Sequence, residues 1–187
     1  MERPKAALQL AGEPFVARIS RLLADFSPRI VVAGTHARET WDALPPGDRI
    51  VRLVNPAPER GQLSSLKVAL RWLVAEVPSC TALLVALVDH PAVDPATYRA
   101  LRDASRNASP TAAILLPSHR GRRGHPVVFA RSVWEELLAL PDDQGARVVV
   151  HRDPGRVVEI AVDDPGVLRD VDTPADYAAL RESESSD

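Results

Sequence analysis

Residues 82–91, which read ALLVALVDHP, decide the fold class of this 187-residue chain. Seven apolar residues in succession, from Ala82 to Val88, are typical of a strand that is covered on both faces, as in a parallel sheet between helices. Ligands in such folds bind beyond the carboxyl ends of the strands, and Asp89 stands at that position. Its carboxylate suits Mg²⁺, which prefers oxygen ligands and substrate phosphates. The alternative is that Asp89 caps the turn into the next helix.

Other apolar, β-branched runs on either side of this stretch predict further strands. They lie at residues 29–33, 50–54, 112–116, 126–130 and 157–162. Apolar residues at helical spacing predict helices between them. These helices cover residues 15–26, from 64 or 65 to 77, from 95 onward, 132–140 and 174–180. Asp94-Pro95 and Thr173-Pro174 have the form of helix starts, with proline in the first turn.

Strand-helix alternation of this kind predicts a three-layer α/β fold with a mostly parallel sheet. The sequence contains no internal repeat and no low-complexity linker, so we expect one domain over residues 1–187. The polar end, residues 181–187, is expected to fray.

Composition and charge exclude several classes of function. The net charge is -2, from 23 basic and 25 acidic side chains, which argues against nucleic-acid binding. One cysteine, Cys80, excludes an intrachain disulfide and is expected to act as a small apolar residue. No apolar stretch approaches the roughly 20 residues that cross a bilayer, and the N-terminus lacks the apolar core of a signal peptide. We therefore expect no membrane association and a cytoplasmic location.

A second acidic candidate lies near the C-terminus, in Asp170-Val171-Asp172. Side chains two apart in an extended segment share a face, so the two carboxylates point the same way. Asp172 is a candidate second metal ligand, or the N-cap of the last helix.

Two polar loops carry candidate substrate-binding residues. The loop from Asn55 leads into a helix start, where Ser64, Ser65 and Lys67 are placed to hold phosphate through free N–H groups and positive charge. The alternative is a capped helix with a solvated lysine. Arg123 and His125 lie in the basic loop 120–126, RGRRGHP, where arginine is able to grip phosphate in a bidentate manner. The alternative there is a solvated turn, and a lone histidine is often structural.

Six segments, in this order, resemble the molybdopterin cytidylyltransferase branch of the MobA-like NTP transferase family. They are PKAALQLAGEP (4–14), NP (55–56) with GQLSSL (61–66), LVDHP (87–91), GRRGHP (121–126), DQGAR (143–147) and VDTPADY (171–177). The family counterparts read PK-x-LL-x-L-x-G-x-P, NP…GM-SSSL, GD-x-P, G-x-x-GHP, D-x-GAR and DIDTPEDY. No single motif is decisive, but their shared order makes the resemblance strong.

The resemblance implies a Rossmann-like nucleotidyltransferase fold. It also implies transfer of a nucleotide from CTP, or from GTP in the sister branch, to the terminal phosphate of molybdopterin, with release of pyrophosphate. By position, Asp89 and Asp172 match the Mg²⁺-binding carboxylates, and Lys5 matches the lysine that reaches the nucleotide phosphates. Ser64, Ser65 and His125 lie on segments that line the family's active site.

The sequence departs from the family at its N-terminus. Residues 1–5 align with the end of the motif LAAG-x-S-x-RMG-x-PK, so the first strand and the glycine-rich loop are missing from this alignment. Either translation starts further upstream, or the chain is a shortened homologue. In the second case we expect a non-catalytic binding partner in molybdoenzyme maturation, contacting a molybdoenzyme or its maturation factor. A nucleotidyltransferase with another phosphorylated acceptor is a further alternative.

Overall fold

The computed structural model describes residues 4–47 and 49–184. The strands are β1 (Gln9–Leu10), β2 (Glu13–Pro14), β3 (Arg29–Ala33), β4 (Ile50–Val54), β5 (Ala82–Val85), β6 (Ile114–His119), β7 (Arg122–Arg123), β8 (Val127–Ala130) and β9 (Val157–Ala161). The α-helices are α1 (Phe15–Leu22), α2 (Ala37–Asp42), α3 (Gln62–Glu76), α4 (Pro95–Arg106), α5 (Trp134–Ala139), α6 (Arg147–Arg152) and α7 (Pro174–Glu184). Short 3₁₀ turns join several of them.

The strands form three hydrogen-bonded groups. β1 and β2 make a tight hairpin, whose turn residues Ala11 and Gly12 both have positive φ. β3 and β4 pair in parallel. The largest group runs in the order β5-β8-β6-β7, and β9 pairs in parallel with β6.

The sheet is mixed, which corrects the expectation of a mostly parallel one. β8 lies between β5 and β6 and runs antiparallel to both of them. The chain reverses direction at Arg120 and Gly121, which both have positive φ, and β8 therefore returns against β6. Continuous apolar runs identify buried strands, but they carry no information about strand direction.

Helices cover both faces of the large sheet, so the predicted three-layer α/β fold is confirmed. Ile114 and Leu116 of β6 pack on one face with Leu70 of α3 and Leu137 of α5. On the other face Leu115 packs with Leu101 of α4. Successive strand residues thus face opposite helical layers, as the two-residue repeat of a strand requires.

Several element boundaries differ from the predicted ones. The strand expected over 82–88 ends at Val85, because its pairing with β8 ends at the Val85–Val127 register. The strand expected over 112–116 covers Ile114–His119, and the helix expected over 15–26 ends at Leu22. α7 extends to residue 184, residues 185–187 lie outside the described part, and the expected fraying of 181–187 stays a prediction.

The helix starting at Pro95 is confirmed together with its cap, because the Asp94 carboxylate accepts a hydrogen bond from the Ala96 N–H. Cys80 is partly buried and packs against the main core. Among the described helices none is both long and apolar enough to span a bilayer.

Candidate active site

Three segments far apart in the chain meet beyond the carboxyl end of β5. Lys5 opens a 3₁₀ turn near the N-terminus, Asp89 follows β5, and Asp172 precedes α7. The Lys5 ammonium hydrogen-bonds to Oδ1 of Asp172 and lies 3.7 Å from Oδ2 of Asp89. The fold thus brings together the three residues that the sequence singles out for catalysis and metal binding.

The charges of this cluster are mutually stabilising. Burial lowers the pKa of Lys5, but the hydrogen bond that Lys5 donates to Asp172 and the negative charges of Asp89, Asp172 and Asp170 outweigh it and raise the pKa above the ordinary value. Lys5 is therefore a firmly protonated cation between two carboxylates. It offsets the repulsion that two neighbouring carboxylates would otherwise exert on each other.

A backbone hydrogen bond joins the two segments that carry the carboxylates. The Val171 N–H donates to the carbonyl oxygen of Asp89 at 2.8 Å. The segment before α7 therefore lies directly beside the end of β5. A short backbone link of this kind holds Asp89 and Asp172 close without using either side chain.

Asp172 is not the N-cap of the last helix. Thr173 has that role, because its Oγ1 accepts from the Asp176 N–H at 3.2 Å while the Asp176 carboxylate accepts from the Thr173 N–H at 2.7 Å. This reciprocal pair is a capping box. It leaves the Asp172 carboxylate, which is 61% exposed, free of any capping duty.

Tyr177 fastens α7 to the N-terminal segment that carries Lys5. Its hydroxyl donates to the carbonyl oxygen of Gln9 at 2.7 Å, and its ring makes an edge contact with Phe15 at 6.0 Å between centroids. These contacts therefore fix the position of the N-terminal segment relative to α7.

A second polar group lies beside Asp89. The rings of His90 and His125 stack at a tilt, with centroids 5.0 Å apart. Burial lowers the pKa of His125 to about 4, and nearby His90 pushes it the same way against the charges of Asp89 and Asp170. His125 is therefore neutral near pH 7.

Three buried atoms of this group have no hydrogen-bond partner within the described residues: Asp89 Oδ1, His90 Nδ1 and His125 Nδ1. Buried polar atoms in folded proteins are nearly always paired. Unpaired atoms on adjacent residues at the end of a strand are available to a bound ligand or to water.

The position of His125 depends on a close backbone approach. Its N–H donates to the Val167 carbonyl at 2.9 Å. A Cβ at the preceding Gly124 would lie 2.3 Å from that same oxygen, so only glycine fits. Packing therefore requires glycine at position 124, the first residue of the G-H-P sequence.

Ser64 and Ser65 are organised by a buried asparagine. The Asn55 side-chain amide donates to Ser64 Oγ at 2.7 Å and to Ser65 Oγ at 3.0 Å, and its oxygen accepts from the Ala57 N–H. Ser64 in turn donates to the Gly61 carbonyl at 2.7 Å. The N-cap of α3 is Gly61, and the helix begins at Gln62 rather than at residue 64 or 65, so neither serine caps it. The Ser65 hydroxyl, which accepts from Asn55, has its own proton left to donate.

Lys67 is a buried lysine with partners inside the protein. Its ammonium donates to the Leu140 carbonyl at 2.6 Å and to Asp142 Oδ1 at 2.7 Å. It is neither solvated nor aimed at the Lys5–Asp89–Asp172 cluster in this structure. It ties α3 to the loop after α5.

Arg123 lies on the short strand β7 and pairs with Glu159 of β9 at 2.8 Å. Its neighbours Arg120 and Arg122 are exposed. The basic loop is thus a β-turn at the rim of the sheet, with one arginine held by a carboxylate.

Four of the predicted site residues line one cavity of about 820 Å³: Ser65, Asp89, Arg123 and His125. The same cavity is bordered by residues 29–32 of β3 and by β5, and no described strand pairs with β3 or β5 on that side. Lys5, Ser64, Lys67 and Asp172 do not line it. Its volume is in the range of small-molecule sites, about 300–1,000 Å³.

The residues present fit a divalent cation. The unpaired Oδ1 of Asp89 and the exposed carboxylate of Asp172 are hard oxygen ligands of the kind that Mg²⁺ and Mn²⁺ prefer. Within residues 4–47 and 49–184 no group of three or more His, Cys, Asp or Glu could hold a metal ion. Two carboxylates therefore hold such a cation only with help from substrate oxygens, which is the usual arrangement for Mg²⁺ on phosphates.

Sequence reasoning missed two residues that shape the site. Asn55 belongs to the NP segment at residues 55–56, but it was assigned no role from the sequence. Its amide side chain directly after a predicted strand was the available signal. Tyr177 stood in the VDTPADY segment, but its contact with Gln9 spans 168 residues and leaves no local signal.

Comparisons with known proteins identify a family and a set of structures with the same fold. A family model described as MobA-like NTP transferase domain matches residues 1–157. The crystal structure of Rv0371c in complex with manganese, from Mycobacterium tuberculosis H37Rv, is 32% identical with a TM-score of 0.77, covering 96% of this chain and 92% of that one. A homologue of Rv0371c from Mycobacterium sp. strain JC1 is 26% identical with a TM-score of 0.80, covering 100% and 90%.

Molybdopterin-guanine dinucleotide biosynthesis protein A from Archaeoglobus fulgidus shares the fold at 20% identity and a TM-score of 0.67, covering 98% and 91%. No curated protein sequence matches the chain. The family match covers residues 1–157, which is most of the chain. The chain therefore belongs to the family of MobA-like NTP transferase domains, a nucleotidyltransferase family.

Proposed function

We propose that this protein transfers a nucleotide from a nucleoside triphosphate, with CTP as the first candidate and GTP as the second, to the terminal phosphate of molybdopterin. Pyrophosphate is the other product. The single observation that carries the proposal is the meeting of Lys5, Asp89 and Asp172 beyond the carboxyl end of β5. A cation beside two carboxylates is a charge pattern suited to polyphosphate and a divalent ion.

Support for the acceptor comes from the segments that resemble the molybdopterin branch. Ser65 and His125 lie on two of those segments, 60 residues apart in number, and they line the same cavity as Asp89. A neutral His125 with an unpaired Nδ1 offers a hydrogen-bonding point without adding charge beside phosphate.

In this proposal Asp89 and Asp172 hold Mg²⁺ or Mn²⁺, and Lys5 binds phosphate oxygens. The cation, when bound, neutralises the charge that builds up on the phosphates. The acceptor phosphate oxygen forms a bond to the α-phosphorus, and the bond from that phosphorus to the bridging oxygen breaks, so that pyrophosphate leaves with the electron pair. Lys5 stabilises that leaving charge.

The test measures Mg²⁺-dependent CTP and GTP binding by calorimetry, followed by pyrophosphate release with molybdopterin as acceptor. Asp172→Asn removes one carboxylate of the cluster, whereas Asp163→Asn makes the same change at a fully exposed position and serves as the control. We expect binding and turnover by wild type and by the control, and turnover at least 10²-fold lower (roughly the effect of losing one electrostatic contact in a transition state) in Asp172→Asn. Nucleotide binding without turnover would instead favour a non-catalytic binding protein.

A further inference from the structure

The chain has only two lysines, Lys5 and Lys67, among its 23 basic side chains. Lys67 is engaged in the core with Leu140 and Asp142. Lys5 is the one placed against the two site carboxylates, and its side chain remains 30% exposed. An exposed fraction of that size leaves the ammonium room to move away from Asp172.

We propose that Lys5 occupies the place of the divalent cation in the free protein and yields it only when a triphosphate is present. The inference rests on the proposed function and adds an order of events to it. Its basis is geometric: the ammonium touches Asp172 Oδ1 and lies 3.7 Å from Asp89 Oδ2. A metal ion that used both carboxylates would have its centre in the same space.

Two cations do not share this space at low cost. A divalent ion binds carboxylate oxygens at about 2.0–2.1 Å in the case of Mg²⁺, so the ammonium has to leave Asp172 before both carboxylates bind the ion. The ammonium is a compact, strongly hydrated charge on a flexible stem, and it needs another anion to replace the carboxylate. Phosphate oxygens of a nucleotide supply that anion.

The consequence is coupled binding of cation and nucleotide. Each ligand raises the affinity for the other, and linkage makes the two effects equal. In the absence of nucleotide the cation competes with Lys5 and binds weakly. With a triphosphate bound, the ammonium has moved to phosphate and the carboxylates are free for the cation.

Lys5→Met tests this proposal, because methionine removes the charge and keeps a long, flexible side chain. The readout is Mn²⁺ affinity by electron paramagnetic resonance of the free ion, without nucleotide. We expect Lys5→Met to bind Mn²⁺ between about 5- and 150-fold more tightly than wild type, the usual range for coupling between two sites. Equal or weaker Mn²⁺ binding by this variant overturns the proposal.

Arg21→Met is the matched control, because it removes one positive charge that pairs with a carboxylate, Glu13, at an exposed position. Its Mn²⁺ affinity should equal that of wild type. A gain of the same size in the control would trace the effect to net charge, and that result would overturn the proposal as well.

A second measurement needs no variant. Wild-type Mn²⁺ affinity should rise by a similar factor when CTP or GTP is present, and this rise should shrink in Lys5→Met. One outcome separates the two proposals: no form binds nucleotide, but Lys5→Met still gains Mn²⁺ affinity. That result would support competition between Lys5 and the cation and would contradict both the proposed function and the coupled binding. If nucleotide binds but does not change the wild-type Mn²⁺ affinity, the coupling is overturned.

Discussion

Lys67 of α3 and Asp142 lie 75 positions apart in the chain, and the buried ammonium of the lysine donates to the carboxylate at 2.7 Å. Arg60 reaches the other oxygen of the same carboxylate at 2.8 Å from the exposed side. One carboxylate thus has a buried cation and an exposed cation as partners. The side chain of Lys67 is 6% exposed and that of Arg60 is 59% exposed. We therefore expect the two contacts to contribute differently to stability.

We predict that Lys67→Met destabilises the protein by about 1–3 kcal/mol, because the buried Leu140 carbonyl loses its donor. Arg60→Met removes an exposed partner of the same Asp142 and should produce no measurable change. Urea denaturation followed by circular dichroism compares the two. Equal stability of Lys67→Met and wild type would contradict a structural role and would restore the phosphate-binding interpretation of Lys67.

A second prediction concerns Asn55. Replacing it by alanine leaves the Ala57 N–H without its acceptor and removes the donors that hold Ser64 and Ser65. We expect a loss of about 1–3 kcal/mol in the free energy of unfolding.

Asn107→Ala is the control for this change, since the side-chain amide of Asn107 donates to the Asp103 carbonyl at the exposed end of α4. Its effect should stay within about 0.5 kcal/mol. Thermal melts of both variants test this prediction. A larger loss of stability in Asn107→Ala than in Asn55→Ala would refute the stabilising role of Asn55.

The pH dependence of stability should report His125. Its pKa of about 4 in the folded protein lies below the ordinary value near 6.5, so the unfolded chain takes up the proton first as the pH falls. The stability associated with this group is complete above pH 6.5 and is lost between pH 6.5 and 4. The loss amounts to at most roughly 3 kcal/mol.

His125→Phe removes the titrating group and should flatten the stability profile between pH 6.5 and 4. His151→Phe, at an exposed position, should keep the wild-type slope. Urea titrations at pH 7, 5.5 and 4.5 give the two slopes. If the slopes of wild type and His125→Phe coincide, another group is responsible for the acid sensitivity.

Much of the fold was predictable because the strongest signals are local. The ALLVALV run, the Asp94-Pro95 start and the Thr173-Pro174 start each identify an element from its own residues. The direction of β8 was not predictable in this way, because it depends on where the chain returns after Arg120 and Gly121. The early end of β5 depends in turn on the length of β8.

The same distinction between local signals and long-range contacts applies to the candidate site. Asp89 and Asp172 were identified from their positions after a strand and before a helix, and their closeness is a result of the fold. The sequence left open whether Asp172 is a cap, and the Thr173–Asp176 pair answers that question. For Lys67 both interpretations were incomplete, because its partners lie more than 70 residues away and no local pattern points to them.

The contact between Tyr177 and the Gln9 carbonyl joins the two ends of the described chain. The edge contact between the rings of Tyr177 and Phe15 lies beside it and joins the same two segments. Lys5 lies only four positions before Gln9, and Asp172 five positions before Tyr177. Removal of the Tyr177 hydroxyl is therefore expected to loosen the segment that carries Lys5 relative to the segment that carries Asp172.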